Sequence, residues 1–212
     1  MTPQALLLDL DGTLVDSEPL QREAYRRFFT ARGWPQPDLS LFTGRRAEDV
    51  FPTLPGPWRE HDPLALAREV GDLVPRDQPP AAVPGAEGLL RGARDRGVRV
   101  AIVTSAGPEW VELSVGRGLG LLDLVDVVVT AEDVVDGKPD PAGYRLACTR
   151  LAMEPSLTLA AEDSVAGVIA AVGADVGHVV GLTTSRPAEE LAAAGAHATY
   201  ADLRPLVDLL AG

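Results

Sequence analysis

The sequence has 212 residues, of which 46% are hydrophobic, and this length and composition fit a globular domain with a small insert. It carries 31 acidic and 19 basic side chains, for a formal net charge of −12. Because such a surface repels phosphate backbones and anionic lipids, nucleic acid and membranes are excluded as expected partners. An anionic substrate would need local positive charge from a metal ion, a lysine or helix N-termini.

The first part of the chain predicts one strand followed by helices. The apolar run at residues 5–9 is typical of a strand buried on both faces. Residues 18–32 have the spacing of an amphipathic helix. The segment 34–80 is rich in proline, and within it we predict one helix at 63–74 and a shorter one at 46–51.

After residue 82 the pattern changes to strands that alternate with helices. We predict strands at 98–103, 125–129, 157–161 and 179–182, and helices at 86–96, 108–116, 141–153, 165–172 and 188–194. Such alternation indicates a Rossmann-like α/β core, in which helices cover both faces of a parallel sheet. The first strand belongs to this core, so we assign residues 1–16 and 80–212 to it and 17–79 to an inserted helical domain.

Polar clusters follow several of the predicted strands. In open parallel sheets the ligand crevice lies outside the carboxyl ends of the strands, so these clusters are expected to converge. They are Asp9 with Asp11, Thr104 with Ser105, Lys138, and Glu162 with Asp163.

The two acidic clusters each allow two interpretations. Asp9 and Asp11 could form an ordinary Asp-Gly turn, and Asp163 could cap the helix that follows it. Alternatively, carboxylates held side by side need a cation or a shared proton, and Glu162 with Asp163 would complete a site of oxygen ligands for a hard cation such as Mg²⁺.

The remaining clusters allow a similar choice. Thr104 and Ser105 could cap the next helix, or their hydroxyl and backbone N–H groups could hold phosphoryl oxygens. Lys138 could be a solvated turn residue, or it could be a fixed countercharge on a loop stiffened by prolines.

Taken in order, these motifs resemble those of the haloacid dehalogenase superfamily of phosphohydrolases. The matching segments are DLDGT at 9–13, TS at 104–105, the lysine of GKPDP at 138, and ED at 162–163. The sequence is especially similar to the branch with a helical cap after the first motif, which includes sugar-phosphate phosphatases and β-phosphoglucomutase. The resemblance implies a phosphatase of small phosphorylated metabolites, with sugar or polyol phosphates as the expected substrates.

The resemblance also implies roles for the catalytic residues. Asp9 would attack phosphorus and form an aspartyl phosphate, and Asp11 would act as the general acid and base. Lys138 and the Thr104 hydroxyl would hold the nucleophile and the transferring group, together with Ser105.

The same resemblance implies a Mg²⁺ site and a substrate loop. The ion would be bound by a carboxylate oxygen of Asp9, the backbone carbonyl of Asp11 and Asp163, with Glu162 acting through a bound water or from behind the ligands. The cap would close over the core as a lid. Its candidate substrate residues, which could equally be a solvated surface group, are Gly44, Arg45 and Arg46.

Other functions remain open at this stage. A phosphomutase of the β-phosphoglucomutase kind would use the same Asp9 chemistry, whereas a dehalogenase would have no use for Asp11. A phosphorylatable receiver domain would carry its acceptor aspartate after a later strand. The sequence has no run of 18 apolar residues and no leader pattern, so we expect a soluble, cytoplasmic protein. We also expect it to be a monomer.

Overall fold

The structure, a computed structural model, describes residues 3–42 and 47–211. The strands are Ala5–Leu8 (β1), Val15–Asp16 (β2), Ala81–Ala82 (β3), Arg99–Val103 (β4), Val127–Val129 (β5), Thr158–Glu162 (β6), His178–Leu182 (β7) and Ala198–Tyr200 (β8). Among the described residues, six of them form a parallel sheet in the order β5-β4-β1-β6-β7-β8, and β2 pairs antiparallel with β3.

The helices are Glu18–Ala31 (α1), Ala47–Val50 (α2), Pro63–Asp72 (α3), Ala86–Asp95 (α4), Pro108–Val111 (α5), Ala142–Leu151 (α6), Val165–Gly173 (α7), Ala188–Ala193 (α8) and Arg204–Ala211 (α9). Those that follow β3 cover both faces of the parallel sheet. Apolar side chains of α4 and α9 pack on one face, and those of α6, α7 and α8 pack on the other. The predicted α/β fold is therefore confirmed.

The sequence of β1 explains why the sheet has two apolar faces. Leu6 and Leu8 belong to one core cluster, whereas Ala5 and Leu7 belong to the other. Successive side chains of a strand point to opposite faces, so a strand that is covered on both sides must be apolar at every position.

Several boundaries differ from the prediction. β1 ends at Leu8, one residue before the predicted end, so Asp9 lies in the loop after the strand together with Asp11. The helix predicted at 108–116 divides into α5 and a π-helical segment, Glu112–Gly118. β8 and α9 were not predicted, because β8 is a three-residue edge strand whose residues are all half-exposed.

The contacts within the chain divide it into two compact units, Met1–Asp16 with Pro79–Gly212, and Ser17–Gln78. The Ser17–Gln78 unit has its own aromatic centre, in which Phe28, Phe29, Phe42, Phe51 and Trp58 are buried. Its proline-rich part forms two short 3₁₀ turns, Phe51–Thr53 and Pro57–Glu60. The indole N–H of Trp58 donates to the Leu54 carbonyl at 3.1 Å. Among the described residues, no helix is both long and apolar enough to cross a bilayer.

Candidate active site

The candidate site lies at the carboxyl ends of the central strands. Leu8 is the last residue of β1 and pairs with Ile102 of β4 and Ala161 of β6. The next residues along β1 and β6 are therefore Asp9 and Glu162, which come to the same edge of the sheet. This convergence is what parallel pairing imposes on polar residues that end neighbouring strands.

Lys138 connects the ends of three strands. Its ammonium nitrogen lies 2.5 Å from Asp9 Oδ1, 2.5 Å from Glu162 Oε1 and 2.8 Å from the carbonyl oxygen of Val103. A lysine has three N–H donors, and each has an acceptor here. Burial acts to lower the pKa of Lys138, but the two carboxylates outweigh it and raise the pKa. The lysine is therefore a fixed cation.

Glu162 is fully buried and held by several donors. The phenol of Tyr144, also fully buried, donates to Oε1 at 2.7 Å, and the Ser164 hydroxyl donates to Oε2 at 3.1 Å. Burial, together with the Glu162 charge, raises the pKa of Tyr144, which keeps the phenol protonated as a donor. A Cβ at Gly167 would meet the Glu162 carboxylate, so glycine is required at this close approach.

Three buried carboxylates form the acidic part of the site. One oxygen from each of Asp9, Glu162 and Asp163 lies within 4.8 Å of the others. Burial raises the pKa of Asp9 well above its ordinary value, more than Lys138 lowers it. Burial and then Glu162 raise the pKa of Asp163 to about 7, against the lowering effects of Ser185 and Lys138. Three buried carboxyl groups beside a single lysine offer the oxygen donors that a hard divalent cation prefers. A bound cation would lower these raised pKa values, because it favours the ionised carboxylates.

Two loops close around Asp163. The Ser185 hydroxyl donates to Asp163 Oδ2, and the Thr184 hydroxyl donates to the Gly12 carbonyl at 2.6 Å. Gly12 has φ +77°, and a Cβ there would overlap the Asp163 carboxylate. The glycine of the DLDGT motif is thus fixed by both its backbone conformation and this close approach.

Asp11 lies outside the group of three carboxylates and has a different partner. The indole N–H of Trp110 donates to Asp11 Oδ1 at 3.0 Å, and both side chains are half-buried. The Asp11 carboxylate is therefore held by an indole on α5.

The other predicted residues have mixed placements. Thr104 follows β4 and is buried, but its hydroxyl oxygen accepts the backbone N–H of Ala106 at 3.0 Å, a local turn contact. Ser105 is exposed at the same strand end. The predicted substrate residues Gly44, Arg45 and Arg46 lie outside the described residues.

With this geometry established, comparison with known proteins gives the family. The sequence matches the haloacid dehalogenase-like hydrolase family over residues 3–175. The chain belongs to this family. The suspected superfamily is thereby confirmed.

Several relatives of this haloacid dehalogenase-like hydrolase are named as phosphatases. It is 42% identical over 192 residues to validoxylamine A 7'-phosphate phosphatase of Streptomyces hygroscopicus subsp. limoneus, covering 89% of each chain. It is 31% identical over 197 residues to a phosphorylated carbohydrates phosphatase of Thermotoga maritima, covering 86% of each. The crystal structure of CbbY from Rhodobacter sphaeroides in complex with phosphate matches with a TM-score of 0.79 at 26% identity, covering 96% of each chain. The chain is a phosphomonoester hydrolase.

Sequence reasoning missed three side chains that contact the predicted residues of this hydrolase. Tyr144 contacts Glu162, Trp110 contacts Asp11, and Ser185 contacts Asp163. A signal existed only for Ser185, because it follows the carboxyl end of a predicted strand. The other two lie on helices whose rotation the sequence does not specify.

Proposed function

We propose that this protein is a Mg²⁺-dependent phosphatase that hydrolyses sugar or polyol monophosphates through an aspartyl phosphate at Asp9. The observation that carries the proposal is the contact of Lys138 with both Asp9 and Glu162, beside Asp163. It combines a fixed cation, a carboxylate nucleophile and further buried carboxyl oxygens at one strand edge.

The donor set fits a magnesium ion. The proposed ligands are an Asp9 carboxylate oxygen, the Asp11 backbone carbonyl and Asp163, which are the hard oxygen donors that Mg²⁺ prefers. Glu162 supports the site from behind, since both of its oxygens already accept hydrogen bonds from protein donors. When bound, Mg²⁺ would supply positive charge to the transferring phosphoryl group.

The residues of the chain carry the two half-reactions. In the first, a carboxylate oxygen of Asp9 forms a bond to phosphorus while the ester P–O bond breaks, and Asp11 gives its proton to the departing alkoxide. In the second, Asp11 takes a proton from water as the water oxygen bonds to phosphorus and the Asp9–phosphorus bond breaks. Lys138 holds Asp9 throughout, and the Thr104–Ser105 strand end is the proposed contact for phosphoryl oxygens.

The substrate class follows from the relatives and the chemistry. Validoxylamine A 7'-phosphate and phosphorylated carbohydrates, the substrates in the relatives' names, are hydroxyl-rich phosphates. We extend that class to this chain. The Ser17–Gln78 unit is the proposed cap, and Gly44, Arg45 and Arg46 are its proposed substrate residues.

The test is a panel of hexose, hexitol, glycerol and amino-cyclitol phosphates, assayed for phosphate release with Mg²⁺ and with EDTA. Wild type is expected to release phosphate only with Mg²⁺, and Asp9→Asn is expected to be inactive. Asp208→Asn, at an exposed position of α9, is the matched control and should retain wild-type activity.

Intact-mass analysis of protein quenched during turnover should detect one added phosphoryl group in wild type and none in Asp9→Asn. Undiminished turnover by Asp9→Asn would contradict the proposal. An isomerised product that requires a sugar bisphosphate would instead identify a phosphomutase.

A further inference from the structure

The indole of Trp110 contacts the residue to which the proposed function gives the proton transfers. Its Nε1–H donates to Asp11 Oδ1 at 3.0 Å, across 99 positions of sequence. Both residues belong to the same compact unit. The contact is therefore a tertiary one, made by the loop after β1 and the helix after β4.

The backbone of Trp110 is fixed at both of its polar groups. Its N–H donates to the Gly107 carbonyl at 3.1 Å, and its carbonyl accepts the hydroxyl of the fully buried Ser114 at 2.6 Å. The ring packs against the core cluster that contains α4 and α9.

The π-helical segment Glu112–Gly118 begins two residues after Trp110. Such segments are rare and occur frequently at functional sites. The indole thus projects from the short helix α5, directly before this irregular segment.

An indole N–H can donate a hydrogen bond but cannot accept one. A proton on Asp11 Oδ1 would face that donor, so the protonated form of Asp11 carries its proton on Oδ2. The same donor can hold Oδ1 in both half-reactions, because it exchanges no proton itself. The carboxylate then keeps one orientation while its charge changes.

We propose that Trp110 is a positioning residue that holds Asp11 by Oδ1, so that proton transfer to the leaving group and from water passes through Oδ2. This inference rests on the proposed function of Asp11. In the first half-reaction the Oδ2 proton moves to the ester oxygen as the P–O bond breaks. In the second, a proton of the attacking water returns to Oδ2 as phosphate is released.

The experiment uses the dependence on the leaving group. p-Nitrophenolate leaves phosphorus without a proton, whereas an alkoxide needs one. We would measure phosphorylation of Asp9 in rapid-quench experiments with p-nitrophenyl phosphate and with the alkyl phosphate of the panel that wild type hydrolyses fastest. The variants are Trp110→Phe, the isostere benzothienylalanine at position 110, and Asp11→Asn.

Both position-110 variants are expected to slow phosphorylation by the alkyl phosphate about tenfold or more, within the range of about 10²–10⁴-fold that general acid–base catalysis contributes. Phosphorylation by p-nitrophenyl phosphate should stay within about twofold of wild type, because that step uses no acid. The matched control is Trp58→Phe, which also removes an indole N–H···O contact, but in the other unit. It should leave the ratio of the two rates unchanged.

The outcomes separate this inference from the proposed function. If Asp11→Asn loses the alkyl reaction but both position-110 variants keep it, Trp110 does not position Asp11. If those variants slow both substrates equally, the indole has a structural role only, and the inference is wrong. If Asp11→Asn itself hydrolyses the alkyl phosphate normally, the proposed acid is wrong and the role of Trp110 is overturned with it.

Discussion

Replacement of Asp163 by asparagine is expected to stabilise the metal-free protein at neutral pH while it abolishes activity. Asp163 is buried beside Glu162, and its pKa is raised to about 7 from the ordinary 3.8. The folded state therefore binds the proton more tightly than the unfolded state does, and this contribution to stability is lost as pH rises from about 4 through about 7. Asparagine keeps an oxygen for Ser185 without the charge.

The magnitude follows from the size of the shift. Each unit of pKa difference corresponds to about 1.4 kcal/mol, so a shift of about three units corresponds to about 4 kcal/mol. The advantage of Asp163→Asn in the free energy of unfolding should grow from less than about 1 kcal/mol near pH 4 to about 4 kcal/mol near pH 8. Burial also raises the pKa of Asp9, so the contribution of Asp9 to stability is likewise lost as pH rises. This loss occurs in both wild type and Asp163→Asn.

The assay is urea denaturation followed by circular dichroism in EDTA at a series of pH values. Asp208→Asn, on the surface of α9, makes the same change in net charge. Its free energy of unfolding relative to wild type should not grow with pH. Mg²⁺ should stabilise wild type at pH 8, because it binds the folded state, and should stabilise Asp163→Asn much less. An Asp163→Asn protein that is less stable than wild type at pH 8 in EDTA would refute this reasoning.

The remaining predictions concern the groups packed around the carboxylates. Tyr144→Phe should lower the free energy of unfolding by about 1.5–3 kcal/mol, since it removes a hydrogen bond to the buried Glu162. In the same urea assay, Tyr200→Phe, at a half-exposed edge position, should change the free energy of unfolding little. Gly12→Ala should weaken Mg²⁺ binding measured by calorimetry, and it should lower the free energy of unfolding more than Gly120→Ala does. Gly120 also has positive φ but has open space around its Cβ, so its replacement should cost only about 1–2 kcal/mol. Equal effects of the two substitutions would contradict the close approach of Gly12 to Asp163. Lys138→Met should abolish activity and destabilise the protein by about 3–5 kcal/mol at pH 8, because the buried carboxylates lose their cation. The loss of stability should be smaller at pH 5, where these carboxylates are more fully protonated. A variant as stable as wild type at pH 8 would contradict the role of Lys138 as their countercharge.

The amino-acid sequence determined the strands that are buried on both faces. β1, β4, β6 and β7 were predicted within one or two residues, because a strand covered on both sides must be apolar throughout and such runs are visible in the sequence. β8, by contrast, lies at the edge of the sheet with half-exposed residues, so it has no such signal. β5 is shorter than predicted, since the N–H of Val125 donates to Leu122 in a preceding 3₁₀ turn instead of to a strand.

The sequence also determined which chemical groups meet at the carboxyl ends of the strands. Asp9 and Glu162 were identified from their positions at strand ends, and parallel pairing brings them to the same edge of the sheet. Lys138 was identified in a proline-rich loop beyond β5, and that loop brings it within hydrogen-bonding distance of both. Only the tertiary structure decided that Tyr144 and Trp110 would contact this site. The sequence places both on helices, but the rotation of a helix about its axis is set by how its apolar side chains pack against the sheet, and that packing depends on residues distant in the chain.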